Sequence, residues 1–137
     1  MKKIVVIDGQ GGKMGKSIVE QLVALGVGKE NEIYAIGTNG NATAAMMKAG
    51  AQFGATGENP VIVSVRDADI VIGPIGIVIA DSLIGEVTAS MAKAIGQSPA
   101  LKILLPVNKC NTLIAGTKNC TMSDLIREAI EMTASAL

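Results

Sequence analysis

The sequence predicts a three-layer α/β domain with a mostly parallel sheet, and three observations predict it. Short runs rich in Ile and Val alternate with Ala- and Leu-rich segments, the pattern of strands separated by helices. The first run is continuously apolar from Ile4 to Ile7, as in a strand buried on both faces. It opens into Gly9-Gln10-Gly11-Gly12-Lys13-Met14-Gly15 and then an amphipathic segment. Strand, tight turn and helix in that order present backbone N–H groups to phosphate. At 137 residues the chain is expected to form one domain, residues 1–137.

The elements follow in order. Lys3 to Asp8 is the first strand. From Lys13 to Leu25, Met14, Ile18, Leu22 and Leu25 recur at spacings of three and four, which predicts a helix stopped by Gly26 and Gly28. Glu32 to Gly37 is the second strand. A helix over about Ala42 to Ala49 follows, capped by Asn39 or Asn41 and ended by Gly50. Gly54 to Pro60 reads as a loop and Val61 to Val65 as an extended run. Only Arg66-Asp67-Ala68 separates that run from the strand at Asp69 to Gly73, too few residues for a parallel crossover. Val61 to Val65 is therefore expected to be extended or antiparallel, with Gly54 to Asn59 beside the opening turn.

Ile79, Leu83, Val87, Met91 and Ile95 recur every four residues, which predicts one long helix starting near Asp81 or Ser82 and ending before Gly96. Its apolar face is wide for so small a domain, and a homodimer contact is one reading of the surplus. Lys102 to Pro106 is the next strand and Val107 to Asn111 a polar loop. Thr112 to Gly116 is expected as a short antiparallel edge strand. The last helix starts at Thr121, with Asp124 three residues on, as in a capping box.

Composition narrows the function. Apolar residues make up 49% of the chain, Tyr34 and Phe53 are its only aromatics, and the net formal charge is zero. A nucleic-acid partner, which calls for a basic track and stacking platforms, is not expected. The start reads as no secretory leader and no apolar tract is long enough to span a bilayer. A cytoplasmic protein with no membrane partner is expected. There is no His, and Cys110 and Cys120 fit no metal spacing, so no metal site is expected. Nucleophile pairs built on an imidazole base are excluded.

The strand ends carry Asp8-Gly9-Gln10, Gly37-Thr38-Asn39, Gly73-Pro74-Ile75-Gly76 and Asn108-Lys109-Cys110-Asn111. Parallel sheets bind ligands at that edge. The candidate cofactor-binding residues are therefore Asp8, Gly9, Gln10, Gly11, Gly12, Lys13, Met14, Gly15, Thr38, Asn39, Gly73, Pro74, Gly76 and Asn108. The turn fits G-x-x-G-x-x-G at Gly9, Gly12 and Gly15. In this reading Gly9 allows the tight turn, Gly11 and Gly12 let phosphate approach, and Gly15 lets helix and strand pack. The acid expected about twenty residues further on to hold a ribose is missing; Gly37-Thr38-Asn39 stands there. Lys13, Lys16, Thr38 and Asn39 would suit a 2′-phosphate. A divergent P-loop is the alternative, since Gly15-Lys16-Ser17 matches its end, but its first glycine should fall at residue 10, which is Gln. A structural turn without ligand is the third reading.

Catalytic residues are not identified. Asp8, Asp81 and Glu86 are acids near strand ends or helix starts, and Asp81 is the more natural helix-start residue. Glu58 points either to a ligand or to solvent. Cys110 is the better nucleophile candidate of the two thiols.

The run Gly9-Gln10-Gly11-Gly12-Lys13-Met14-Gly15-Lys16 resembles the start of dihydrodipicolinate reductases. That resemblance implies NADH or NADPH, with a pyrophosphate seat at Gly9 to Met14. Taken whole, the chain resembles a short bacterial family known as a domain of unknown function. The residues that carry this are Ile7 to Gly12, Gly37-Thr38-Asn39, Gly54 to Asn59, Gly73 to Gly76 and Pro106-Val107-Asn108. It implies a Rossmann-like fold and transfers no activity. The expected function is binding of a small-molecule nucleotide or dinucleotide, NAD(P) first, with the activity unassigned. The alternative is a non-catalytic nucleotide or metabolite sensor.

Overall fold

The computed structural model describes residues 1–107 and 111–137. Five strands, β1 (Lys3–Asp8), β2 (Glu32–Gly37), β3 (Phe53–Thr56), β4 (Ile70–Pro74) and β5 (Leu101–Leu105), form one sheet in the order β3-β2-β1-β4-β5. Every pairing is parallel. Val5 in the central strand lies opposite Tyr34 on one side and Val71 on the other.

Helices α1 (Lys13–Ala24), α2 (Gly40–Lys48) and α5 (Met122–Ser135) cover one face, packing Ile18, Leu22, Met46, Ile126 and Ile130 against Ile4 and Val6. Helices α3 (Glu58–Ser64) and α4 (Ala89–Gln97) cover the other, packing Val61, Val65, Met91 and Ile95 against Val5 and Ile7. Alternate residues of β1 thus feed two cores, which is why its sequence is an unbroken apolar run. The predicted α/β architecture stands, and its first two strands and first helix lie where the periodicity put them. Asn39 is the cap of α2, its Oδ1 accepting from Ala42 N–H at 2.9 Å. Thr121 caps α5 reciprocally with Asp124.

Three expectations are corrected. Residues 53–56 are strand β3 and residues 58–64 are helix α3, so Val61 to Val65 is not an extended return segment. Val61 and Val65 are buried four residues apart while Val63 is exposed, a helical burial pattern. Pro60 falls in the first turn of α3, where its missing N–H has no helical acceptor to lose. The crossover from β3 to β4 is therefore complete, and β4 runs parallel like the rest.

Residues 79–95 are not one helix. A 3-10 turn spans Ile75–Val78, tight turns follow, and α4 begins only after Thr88. Asp81 is not a helix-start residue; it is left-handed, at φ 65°. Val87, Met91 and Ile95 are buried within the chain's own core, so the apolar face they form is not surplus. The Thr88 cap also distinguishes the two descriptions. Its Oγ1 accepts from Met91 N–H at 3.1 Å, so Thr88→Ala is expected to lower stability by about 0.5–2 kcal/mol in urea denaturation. In the middle of a longer helix the same change would stabilise.

Residues 112–116 form no strand, and among the described residues the sheet has no antiparallel edge. Among the described residues no helix is long and apolar enough to cross a membrane.

Candidate functional site

Because all five strands are parallel, their carboxyl ends share one rim: Asp8, Gly37, Thr56, Pro74 and Leu105. The chain leaves β1 toward one face and β4 toward the other. Crossovers diverging between neighbouring strands leave a crevice between them, the usual ligand position in such sheets. A cavity of about 440 Å³ opens there, between the glycine turn and the segment after β4.

The turn is built from backbone bonds. Gly12 N–H donates to Gly9 O at 2.9 Å and Lys16 N–H to Gly12 O at 2.8 Å. Asp8, at the end of β1, is buried. Its Oδ1 accepts from Gly9 N–H at 2.8 Å and its Oδ2 from Gly15 N–H at 2.7 Å. Its carboxylate thus braces the end of β1 to the first turn of α1. Burial pushes its carboxyl above the usual carboxylate range; the N–H groups of Gly15 and Gly9 pull the other way, and the charge of Glu86 adds to the rise.

With those bonds made, the N–H groups of Gly11, Lys13 and Met14 have no acceptor among the described residues. All three residues line the cavity. Pro74, Leu83, Val107 and Met122 line the same cavity and give it an apolar part. The cavity therefore combines backbone N–H groups suited to an oxyanion with apolar side chains.

Of the expected site residues, Asp8, Gly9, Gln10, Gly11, Gly12, Lys13, Met14, Pro74 and Gly76 line this cavity. Gly15, Thr38, Asn39 and Gly73 do not. Gly15 is a packing glycine: a Cβ there would lie 2.5 Å from Met46 Sδ and 2.8 Å from Asp8 Cβ. Gly73 is another, facing the carbonyl oxygen of Ile7 in the neighbouring strand. Asn108, with Lys109 and Cys110, lies outside the described residues. Lys16 stands on the exposed side of α1, 3.9 Å from Glu20, and does not line the cavity. Glu58 is exposed in the first turn of α3.

Thr38 and Asn39 instead engage Glu86. Its Oε1 accepts from Thr38 Oγ1 at 2.6 Å, Asn39 Nδ2 at 2.8 Å and Gln10 N–H at 2.9 Å. Burial of this carboxyl opposes its charge, but the bonds from Thr38, Gln10 and Asn39 outweigh that and hold its pKa below the ordinary value. An acid from the segment between β4 and α4 thus lies against the residues that follow β2, and it does not line the cavity. Sequence reading named Glu86 only as an acid near a helix start. Leu83, Val107 and Met122 were missed because an apolar residue in a loop or at a helix start carries no distinguishing pattern.

Among the described residues, no group of three or more His, Cys, Asp or Glu is placed to hold a metal ion. A family model described as domain of unknown function (DUF3842) matches residues 3–137. No curated protein matches the chain. Among solved structures it is similar to a dodecameric FMN-dependent UbiX-like decarboxylase from Escherichia coli O157:H7. The identity is 14%, the match covers 98% of this chain and 92% of that one, and the TM-score is 0.48. It is also similar to an arsenate reductase in the phosphate binding state, at 17% identity, covering 98% and 95%, with a TM-score of 0.45. A universal stress protein from Archaeoglobus fulgidus matches at 16% identity, covering 76% and 97%, with a TM-score of 0.40. At these identities the likeness concerns the α/β architecture alone.

Proposed function

We propose that this chain, which belongs to the family described as domain of unknown function (DUF3842), binds a nucleotide or dinucleotide at its glycine turn, with NAD(P) the first candidate. One observation carries the proposal. Gly11, Lys13 and Met14, whose N–H groups have no acceptor among the described residues, line one cavity together with Pro74, Leu83, Val107 and Met122. Phosphate would be held by the N–H groups and the Lys13 ammonium, and a flat base or ring would lie against the apolar side chains. A cavity of about 440 Å³ is of the size that small ligands and cofactors occupy. NAD(P) comes first because the turn has the G-x-x-G-x-x-G spacing. The P-loop alternative is weakened by Lys16, which pairs with Glu20 away from the cavity.

A non-catalytic sensor is the second reading. It is favoured by the way Glu86 ties the segment after β4 to the binding turn, so that a ligand at the turn would be felt by that segment. Cytoplasmic location belongs to either reading, and so does a homodimer in which a second copy completes the pocket.

The test is a thermal-shift panel of NAD, NADP, NADH, NADPH, ATP, GTP, AMP and S-adenosylmethionine, with and without Mg²⁺. A ligand at a hundred times its Kd adds about 2.7 kcal/mol of stability. At least one nucleotide is expected to raise the melting temperature without Mg²⁺. No shift with any of them would overturn the proposal. Turnover is then assayed separately, because binding alone is common to enzyme and sensor.

A further inference from the structure

Residues 79–87 cross over the glycine turn in an unusual backbone conformation. Asp81, Leu83 and Ile84 are left-handed, at φ 65°, 55° and 55°, a region L-residues avoid and β-branched ones most of all. Ile84 is 96% exposed, so core packing does not hold it there. Leu83 packs against the core and Val87 is buried in it, and polar bonds hold the segment as well. Asp81 N–H donates to Val87 O at 2.7 Å, Ser82 Oγ donates to Gly76 O, and Glu86 reaches the far side of the turn. Leu83 from the same segment lies on Gly9 and forms part of the cavity wall.

The donors that Glu86 meets come from three places: the turn (Gln10 N–H), the residue after β2 (Thr38) and the cap of α2 (Asn39). All converge on one carboxylate oxygen. Such a set is complementary to an oxyanion and does not distinguish a carboxylate oxygen from a phosphate oxygen. Two of the three donor residues make bonds that do not involve Glu86. Asn39 is oriented by its bond to Ala42 N–H, and Thr38 N–H is bonded to Asp8 O at 3.0 Å. The segment that fills the seat is strained.

We propose that residues 79–87 are a strap latched over the glycine turn by Glu86, whose carboxylate occupies an anion seat that a phosphate or carboxylate group of the ligand takes over on binding. The proposal rests on the preceding one in taking the glycine turn as the binding site. Gln10 both lines the cavity and donates to the seat, so a ligand in the cavity with a second anionic group reaches the seat by passing the turn. Displacing Glu86 releases the strap and removes Leu83 from the mouth. In the free protein the carboxylate competes with the ligand, which lowers apparent affinity by the fraction of molecules that are open.

The experiment compares the wild-type chain with Glu86→Ala and Glu86→Gln in two measurements. The first is amide hydrogen exchange without ligand. Exchange across residues 79–87 is expected to rise about tenfold or more in Glu86→Ala and by less in Glu86→Gln, with β1 and β4 unchanged. The second is titration with inorganic pyrophosphate at constant ionic strength. Glu86→Ala is expected to bind it about tenfold more tightly than the wild type. Unchanged exchange in residues 79–87 would overturn the latch. Pyrophosphate affinity that is unchanged, lower or absent in Glu86→Ala would overturn the anion seat, even if a nucleotide binds the wild type. Pyrophosphate bound tightly by Glu86→Ala, with no nucleotide shifting either protein, would overturn the nucleotide proposal and leave this one standing.

Discussion

Gly12→Val is expected to lower the stability of the fold by about 2–5 kcal/mol, before any ligand is considered. Two costs combine. Gly12 sits at φ 72°, where an L-residue loses about 1–2 kcal/mol. A Cβ there would also come 2.7 Å from the Cα of Ala42, which is backbone of α2 and has no rotamer by which to yield. Overpacking of this kind costs about 1–3 kcal/mol. Domains of this size have about 5–15 kcal/mol in total, so the variant is left marginal. Urea denaturation followed by circular dichroism measures the loss. A midpoint within experimental error of the wild type would show that α2 does not pack on the turn as described. The consequence for function is direct: loss of ligand binding in a Gly12 variant reports on the fold, not on a phosphate contact.

Gly11→Val should do the reverse. Gly11 is exposed, lies outside the left-handed region, and a Cβ there would meet nothing within 4 Å. Stability is expected to stay within about 0.5 kcal/mol of the wild type. Yet Gly11 lines the cavity and its N–H is one of those left without an acceptor among the described residues. A branched side chain at this point is expected to obstruct the proposed phosphate seat. The stabilisation of about 2.7 kcal/mol expected from a nucleotide at a hundred times its Kd, on the order of 10 °C, is expected to vanish. The measurement is the nucleotide thermal shift of Gly11→Val beside that of the wild type. A full shift in the variant would show that the ligand does not enter at Gly11. The pair separates two roles that adjacent glycines share in the sequence: Gly12 lets α2 approach, and Gly11 leaves room at the cavity.

The same separation runs through the whole turn. Gly9, Gly12 and Gly15 supply the G-x-x-G-x-x-G spacing, and each proves to be a place where another part of the chain comes close. Gly9 meets Thr38, Leu83 and Glu86, Gly12 meets Ala42, and Gly15 meets Met46 and Asp8. The motif was legible because each close approach forbids a side chain. Which partner forbids it was not legible, since Glu86 is 76 residues from Gln10 and 48 from Thr38. Asp8 was legible as an acid before the first glycine, but its orientation depends on where Gly15 N–H lies in the folded turn.

Two errors of element assignment have one physical origin. Val61-Ile62-Val63 is β-branched and reads as extended, but a buried stripe at Val61 and Val65 against Val5 and Ile7 outweighs a small propensity difference. Ile79, Leu83, Val87, Met91 and Ile95 keep a spacing of four, but they do two jobs. Val87, Met91 and Ile95 pack in the core, while Leu83 covers Gly9 and the cavity. Periodicity records that residues are apolar; it does not record that the chain turns sharply between them.

By itself, then, the sequence determined the features that arise within a few neighbouring residues. These are the strand, glycine turn and helix at the start, the alternation that makes an α/β sheet, and the cap at Thr121; for the second helix the sequence offered Asn39 or Asn41, and the fold uses Asn39. Each is decided by local sterics, local hydrogen bonds or helical spacing. The tertiary structure alone decided that the whole sheet is parallel, that residues 58–64 are a helix, and that Glu86 lies against Gln10, Thr38 and Asn39. These depend on which distant segments are carried to the same rim. Contacts of that kind are set by the crossovers between strands and leave no periodic trace in the residues that make them.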